Sequence, residues 1–113
     1  DLVLSNSSIE TLGNLEKVEG GVYLDDCKNL QSLGNLEYVE GGVYLYNCEN
    51  LQSLGNLVKV EGYLDLAHCK NLQSLGNLEY VWGYLDLSET PIGIEYSKEE
   101  IRNMVEVGGP IYT

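Results

Sequence analysis

A single β-solenoid, with a parallel sheet and a short C-terminal capping helix, is the architecture this sequence predicts, on three observations. Segments beginning Leu12-Gly13-Asn14-Leu15, Leu33-Gly34-Asn35-Leu36, Leu54-Gly55-Asn56-Leu57 and Leu75-Gly76-Asn77-Leu78 recur at a constant shift of 21 residues, the mark of units that stack on one another. Each is followed in step by a valine (Val18, Val39, Val60, Val81), a glycine (Gly20, Gly41, Gly62, Gly83) and an alternating stretch, Val22-Tyr23-Leu24, Val43-Tyr44-Leu45, Leu64-Asp65-Leu66 or Leu85-Asp86-Leu87. That alternation reads as a short strand. After Ile92 the repeat stops, and Ser97-Lys98-Glu99-Glu100-Ile101 has the N-cap and acidic first turn of a helix.

The elements follow in order. A strand this short is unstable alone, but strands one repeat apart can pair in parallel at ~4.7–4.9 Å, so each coil covers the face of the last. The inward positions of one coil are expected to be Val22, Leu24, Leu30, Leu33, Leu36 and Val39, each contributing roughly 1.5–3 kcal/mol on burial before entropy is subtracted. The repeated glycines suit bends with positive φ or close backbone approach, and the Asn14, Asn35, Asn56, Asn77 column suits hydrogen bonding along the stack. Both end repeats are one residue shorter: Leu4 to Ile9 and Leu87 to Ile92, against Leu24 to Leu30 inside. The solenoid is assigned to residues 1–92, about four coils, and the cap to residues 93–113. Within the cap a helix is expected over about 98–105, with Ile101, Met104 and Val105 on the last coil, and an extended tail from Gly108 to Tyr112 beside it.

Composition narrows the function classes. Eighteen acidic against six basic residues give a formal charge of −12, which repels nucleic acid and anionic membranes and favours a basic partner. No apolar run approaches the ~20 residues that span a bilayer, and no signal-peptide pattern opens the chain, so membrane insertion is not expected. The chain begins at Asp1 and its one Met is Met104, which leads us to expect a processed or trimmed N-terminus; the compartment stays open between extracellular and cytoplasmic, leaning to the former.

The stretch from Val60 to Leu78, Val-Glu-Gly-Tyr-Leu-Asp-Leu-Ala-His-Cys-Lys-Asn-Leu-Gln-Ser-Leu-Gly-Asn-Leu, resembles leucine-rich repeats, with Cys69 near the family's Asn/Cys bend. It is more similar still to the L domains of insulin- and EGF-receptor ectodomains, where an asparagine-leucine turn, an apolar residue and a glycine precede a short strand in a right-handed, single-stranded β-helix. Residues 2 to about 92 carry that resemblance. Short bacterial and tailed-phage proteins with such repeats are similar at Thr90-Pro91-Ile92 and Glu99-Glu100-Ile101. The resemblance implies protein recognition on a solenoid face.

Candidate chemistry is sparse. Cys27, Cys48 and Cys69 stand 21 apart, with a serine in the first coil and Thr90 in the last, and such exchange among small residues suggests a bend filler. Three cysteines leave one unpaired, and parallel stacked side chains rarely meet a disulfide's torsion. A row of thiols beside one histidine, His68, supplies no tetrahedral zinc site. No nucleophile motif, phosphate-cradling loop or calcium nonapeptide is present, so neither an enzyme nor a cofactor is expected.

The repeat diverges where it faces solvent. Tyr23 and Tyr44 continue as Asp65 and Asp86, and Asp25 continues as Tyr46, Ala67 and Ser88. Beside them run Gly21, Gly42, Tyr63 and Tyr84, then Glu19, Glu40, Glu61 and Trp82, read as one flat field of tyrosines bordered by acid. Tyr and Trp are common interface anchors, although Tyr is also simply a good strand residue. Glutamates stacked ~5 Å apart repel by about 0.8 kcal/mol even in water, so a cation or basic partner would offset a cost. Two functions are expected from this pattern. In one, Tyr23, Tyr44, Tyr46, Tyr63, Trp82 and Tyr84 contact a protein, steered by Glu40, Glu61, Asp65 and Asp86. In the other, the uncovered edge Leu2, Val3, Leu4 stacks on another copy to build a filament or homo-oligomer.

Overall fold

The computed structural model describes residues 1–113 and shows a β-solenoid with two parallel sheets. The first has six strands: β1 (Leu2–Val3), β3 (Val22–Tyr23), β5 (Val43–Tyr44), β7 (Leu64–Asp65), β9 (Leu85–Asp86) and β11 (Ile111–Tyr112). The second has five: β2 (Lys17–Val18), β4 (Tyr38–Val39), β6 (Lys59–Val60), β8 (Tyr80–Val81) and β10 (Glu106–Val107). Every pairing within a sheet joins one coil to the next, Val22 opposite Val43 and Val39 opposite Val60, for example. The expected shift of 21 is thus the physical register, and Leu2 opposite Val22 shows the first coil one residue short. The second sheet was not expected, because two residues such as Tyr38-Val39 are too few to display an alternation.

One continuous core fills the coils. Val22, Leu24, Leu30, Leu33, Leu36 and Val39 are all fully buried, as are their counterparts from Val43 to Val60. In the first coil Leu2, Leu4, Ile9 and Leu12 are half-buried and pack against that core from one side only. The two glycine columns divide the work expected of them. Gly13, Gly34, Gly55 and Gly76 take φ near +60°, each N–H donating to the hydroxyl of the Thr or Ser two residues earlier. At Gly41, by contrast, a Cβ would come within 2.7 Å of the Gly21 backbone nitrogen, so close approach of adjacent coils is what excludes a side chain.

A second left-handed column has no glycine: Asn6, Asp26, Asn47, His68 and Glu89 have φ of 59–63°. Each stands just before the small-residue column, in a turn closed for example by the Cys48 N–H donating to Leu45 C=O at 3.2 Å. Asn and Asp tolerate this conformation better than most residues. The asparagines that bond backbone along the stack are also not the ones expected. Asn50 donates to Lys28 C=O at 2.6 Å and Asn71 to Glu49 C=O at 2.7 Å. In the Asn14 column the one such contact is an exposed Asn35–Asn14 side-chain pair at 3.4 Å.

At the C-terminus the boundary expected at residue 92 falls inside a helix, α1 (Pro91–Glu95), followed by α2 (Lys98–Met104). Buried Thr90 caps α1, accepting from Gly93 N–H at 3.0 Å, and Pro91 opens it where no N–H is needed. Ser97 and Glu100 form a reciprocal capping box on α2. Ile101 and Val105 seal the last coil as expected, but Met104 is 46% exposed. The tail is extended, and its strands β10 and β11 pair with the two sheets rather than only flanking the helix. It rejoins the solenoid, with Val107 opposite Val81 and Ile111 opposite Leu85. Arg102 fastens the turn between them, donating to Val107 C=O at 2.9 Å and Gly109 C=O at 3.0 Å.

Replacing Leu54, fully buried in the middle of the stack, by alanine is expected to cost about 2–5 kcal/mol in urea unfolding, with amide protection lost in the adjoining coils as well. Arg102→Ala is expected to raise hydrogen exchange at Val107 and Ile111 while leaving the central coils unchanged.

Candidate interaction faces

The cysteine column is structural. All three thiols are free and fully buried. Each donates to a carbonyl of the preceding coil at 3.1 Å: Cys27 to Leu4, Cys48 to Leu24 and Cys69 to Leu45. Burial pushes the Cys48 and Cys69 thiols up to about 12, far from the thiolate that reacts or binds metal. His68 sits half-buried in its turn with its ring 5.2 Å from that of Tyr46. No three His, Cys, Asp or Glu side chains converge as metal ligands would.

The first-sheet tyrosines and the column Glu19, Glu40, Glu61 do not form one flat field. The chain bends at Glu19-Gly20 and the equivalent positions, so the two sheets present separate faces. On the first sheet Tyr23 and Tyr44 stack at 4.9 Å and 10°, and Tyr63 and Tyr84 at 4.5 Å and 9°. Tyr112 extends the second pair, standing across Tyr84 at 5.8 Å and 68°. The rings reach this face from two backbone positions. A Cβ on Gly42 would meet the Tyr44 ring at 2.7–2.9 Å, so Tyr44 lies back over its own coil's glycine. In the next coil Tyr63 occupies the glycine's column and Asp65 the tyrosine's. The exchange of Gly-x-Tyr for Tyr-x-Asp therefore keeps aromatic rings on the face while moving their attachment.

Asp65 and Asp86 have internal tasks: their carboxylates accept from Ala67 N–H at 3.0 Å and Ser88 N–H at 2.9 Å, shaping the turn after each strand. Asp25 accepts across the stack from Tyr46 N–H at 3.0 Å. Burial raises the pKa of Asp65 and of Asp25, the backbone bond opposing it in each case, and Asp86 adds to the rise at Asp65. Burial also raises Tyr44 and Tyr84.

On the second sheet the outward column is Lys17, Tyr38, Lys59, Tyr80, Glu106, flanked by Glu19, Glu40, Glu61 and Trp82. Much of the cation that the glutamate column was expected to need is supplied from within. Lys17 pairs with Glu40 and Lys59 with Glu61, both at 3.5 Å. Tyr38 donates its hydroxyl to Glu61 at 2.5 Å. That bond pushes the Tyr38 phenol up to about 12 and, with Lys59, holds Glu61 below the usual carboxylate range. Trp82 is 66% exposed and packs beside Tyr80, ring centroids 6.3 Å apart. Together with Val58, Lys59, Glu61, Glu79 and Glu106 they line an open concavity of about 470 Å³. Glu79 and Glu106 lie outside both ion pairs, and neither residue showed itself in the sequence as part of a site. The Glu106 position becomes visible once Val107-Gly108-Gly109-Pro110-Ile111-Tyr112 is aligned with Val18-Glu19-Gly20-Gly21-Val22-Tyr23. At the end of the stack β1 is an outer strand, with Val3 exposed and Leu2 and Leu4 half-buried.

Two outcomes are expected. Native protein should show no modification of Cys48 or Cys69 by a thiol reagent at pH 8 until it unfolds, the rate of labelling tracking the rate of unfolding. Asp25 and Asp65 bind protons more tightly folded than unfolded, so their contribution to stability should grow as pH falls from neutrality toward 3.8. Asp65→Asn, which keeps an acceptor for Ala67 N–H, should raise the thermal midpoint at pH 7 and reduce the gain on acidification. Comparison with known proteins finds no family model, no curated protein and no solved structure that matches this chain.

Proposed function

We propose that the chain is a non-enzymatic protein-binding module whose coils are of the leucine-rich-repeat, receptor L-domain-like kind, and that its outer faces recognise a partner with a basic surface. The exposure of large aromatic side chains carries this reading: Tyr46, Tyr63, Trp82 and Tyr112 are 41–66% exposed, outside a core built of leucine, valine, isoleucine and cysteine. Rings already held by stacking lose little freedom on binding, and Trp and Tyr dominate interface energetics. Charge adds steering, since the net −12 accelerates encounter with a basic protein. Tyr23, Tyr44 and Tyr84 are half-buried, and Tyr84 is the floor against which Tyr63 stands. Glu40 and Glu61 contribute through the field rather than as free carboxylates, given their lysine partners.

Selection of random peptides displayed on phage tests the reading. Peptides enriched in Arg and Lys are expected, and their affinity should fall at least about tenfold against Tyr63→Ala/Trp82→Ala and about threefold against Glu40→Lys/Glu61→Lys. Selected peptides that bind all variants equally would count against these faces. End-to-end stacking through Leu2, Val3 and Leu4 is the second reading, favoured by Val3, which is 69% exposed on the outer strand β1. Light scattering separates them: mass growing with concentration, and abolished by Val3→Lys, supports stacking, whereas a constant ~12.5 kDa leaves the binding reading alone.

A further inference from the structure

The outward column of the second sheet alternates cations with rings. Lys17 Nζ lies 5.3 Å from the Tyr38 ring centroid and Lys59 Nζ 5.8 Å from it, so Tyr38 has an ammonium from the coil on either side. Tyr80 has Lys59 at 5.5 Å from one neighbouring coil. From the other neighbouring coil, where the alternation would place another cation, the residue opposite Tyr80 is Glu106. The molecule thus shows what its tyrosine rings attract and leaves one such place without a cation. At that place Trp82 adds a second aromatic wall, tilted 58° to Tyr80, and Glu79 and Glu106 add carboxylates around the same open concavity of about 470 Å³.

We infer that the Tyr80–Trp82 concavity is the seat for an arginine side chain of the basic partner. The inference rests on the binding reading above and names the group that is recognised. A guanidinium is planar and weakly hydrated, stacks on aromatic faces and offers a fork of donors that matches carboxylates. Those properties fit two tilted rings rimmed by Glu79 and Glu106, with Lys59 on the same rim paired to Glu61. A lysine ammonium is a compact, strongly hydrated point charge that uses the second ring less well.

Trp82 is the chain's one tryptophan, so its fluorescence reports the seat directly. Titration with a hexa-arginine peptide is expected to give a saturable change that a hexalysine peptide reproduces only at about tenfold or higher concentration. Glu106→Lys, which completes the alternation from within, and Glu79→Lys should each weaken hexa-arginine at least about tenfold. Glu10→Lys makes the same charge change at an exposed position that does not line the concavity and should weaken it less than about threefold. Circular dichroism establishes that each variant is folded, and either of the two seat variants suffices if the other is not. The seat is overturned by the absence of a saturable change, by equal binding of hexalysine, or by Glu10→Lys acting as strongly as Glu106→Lys, which would mean bulk charge alone. Phage-selected peptides that depend on Tyr63 and Trp82 yet ignore Glu106→Lys would remove the seat while leaving the binding faces standing.

Discussion

Backbone hydrogen bonding along the stack governs everything else in this protein. The Val22 N–H donates to Gly42 C=O and the Val43 N–H to Tyr63 C=O, both at 2.8 Å, and each strand has only two residues. No coil can satisfy its own peptide groups, so each takes its shape from its neighbours. The spacing of parallel strands, ~4.8 Å, then fixes the distance between equivalent side chains in every column. A column of leucines at that spacing is a core and a column of small polar residues is a set of turns. A column of thiols facing the carbonyls of the coil before it is a bend with its donors satisfied.

The same spacing is hazardous for charge. Identical acids one coil apart repel, and a chain of net charge −12 has little cation with which to relieve them. Here the relief is diagonal: Lys17 reaches Glu40 of the next coil, and Tyr38 reaches Glu61 of the next. Lys59 serves Glu61 while lying over the rings of Tyr38 and Tyr80. Such exposed pairs are individually weak. Their effect is to keep the acidic column compatible with the register that the leucines impose.

How much of this was legible in the sequence depends on whether a signal repeated. The six inward positions read for one coil, Leu30 and Leu33 among them, are all buried, because burial in a stacked coil leaves a periodic apolar trace. The helix from Lys98 was visible through Ser97 and Glu100, whose capping chemistry is local. The second sheet was not, since a two-residue strand such as Lys59–Val60 shows one inward residue and no alternation. Nor was the return of the tail to both sheets, because α1 and α2 lengthen the last coil, setting Ile111 opposite Leu85 at a separation of 26 instead of 21. The candidate faces were half legible. The repeat alignment showed which columns vary, but not that a bend at Gly20 and its equivalents separates the Tyr23–Tyr44 and Tyr63–Tyr84 rows from the Glu19, Glu40, Glu61 column, or that Asp65 and Asp86 are occupied by backbone N–H groups.

The tyrosine row has an implication for how such a chain can be rebuilt. Because the Tyr44 ring fills the space a side chain at residue 42 would need, a ring reaching the face from residue 44 goes with glycine at residue 42, and a ring reaching it from residue 63 goes with Asp65 in the next coil. A whole coil can be duplicated or deleted without breaking the stack, whereas a crossover between residues 42 and 44 would join halves of two kinds and give either two rings competing for one space or none. The seams at which this solenoid tolerates recombination therefore lie away from its first sheet, in the arcs where neighbouring coils are alike.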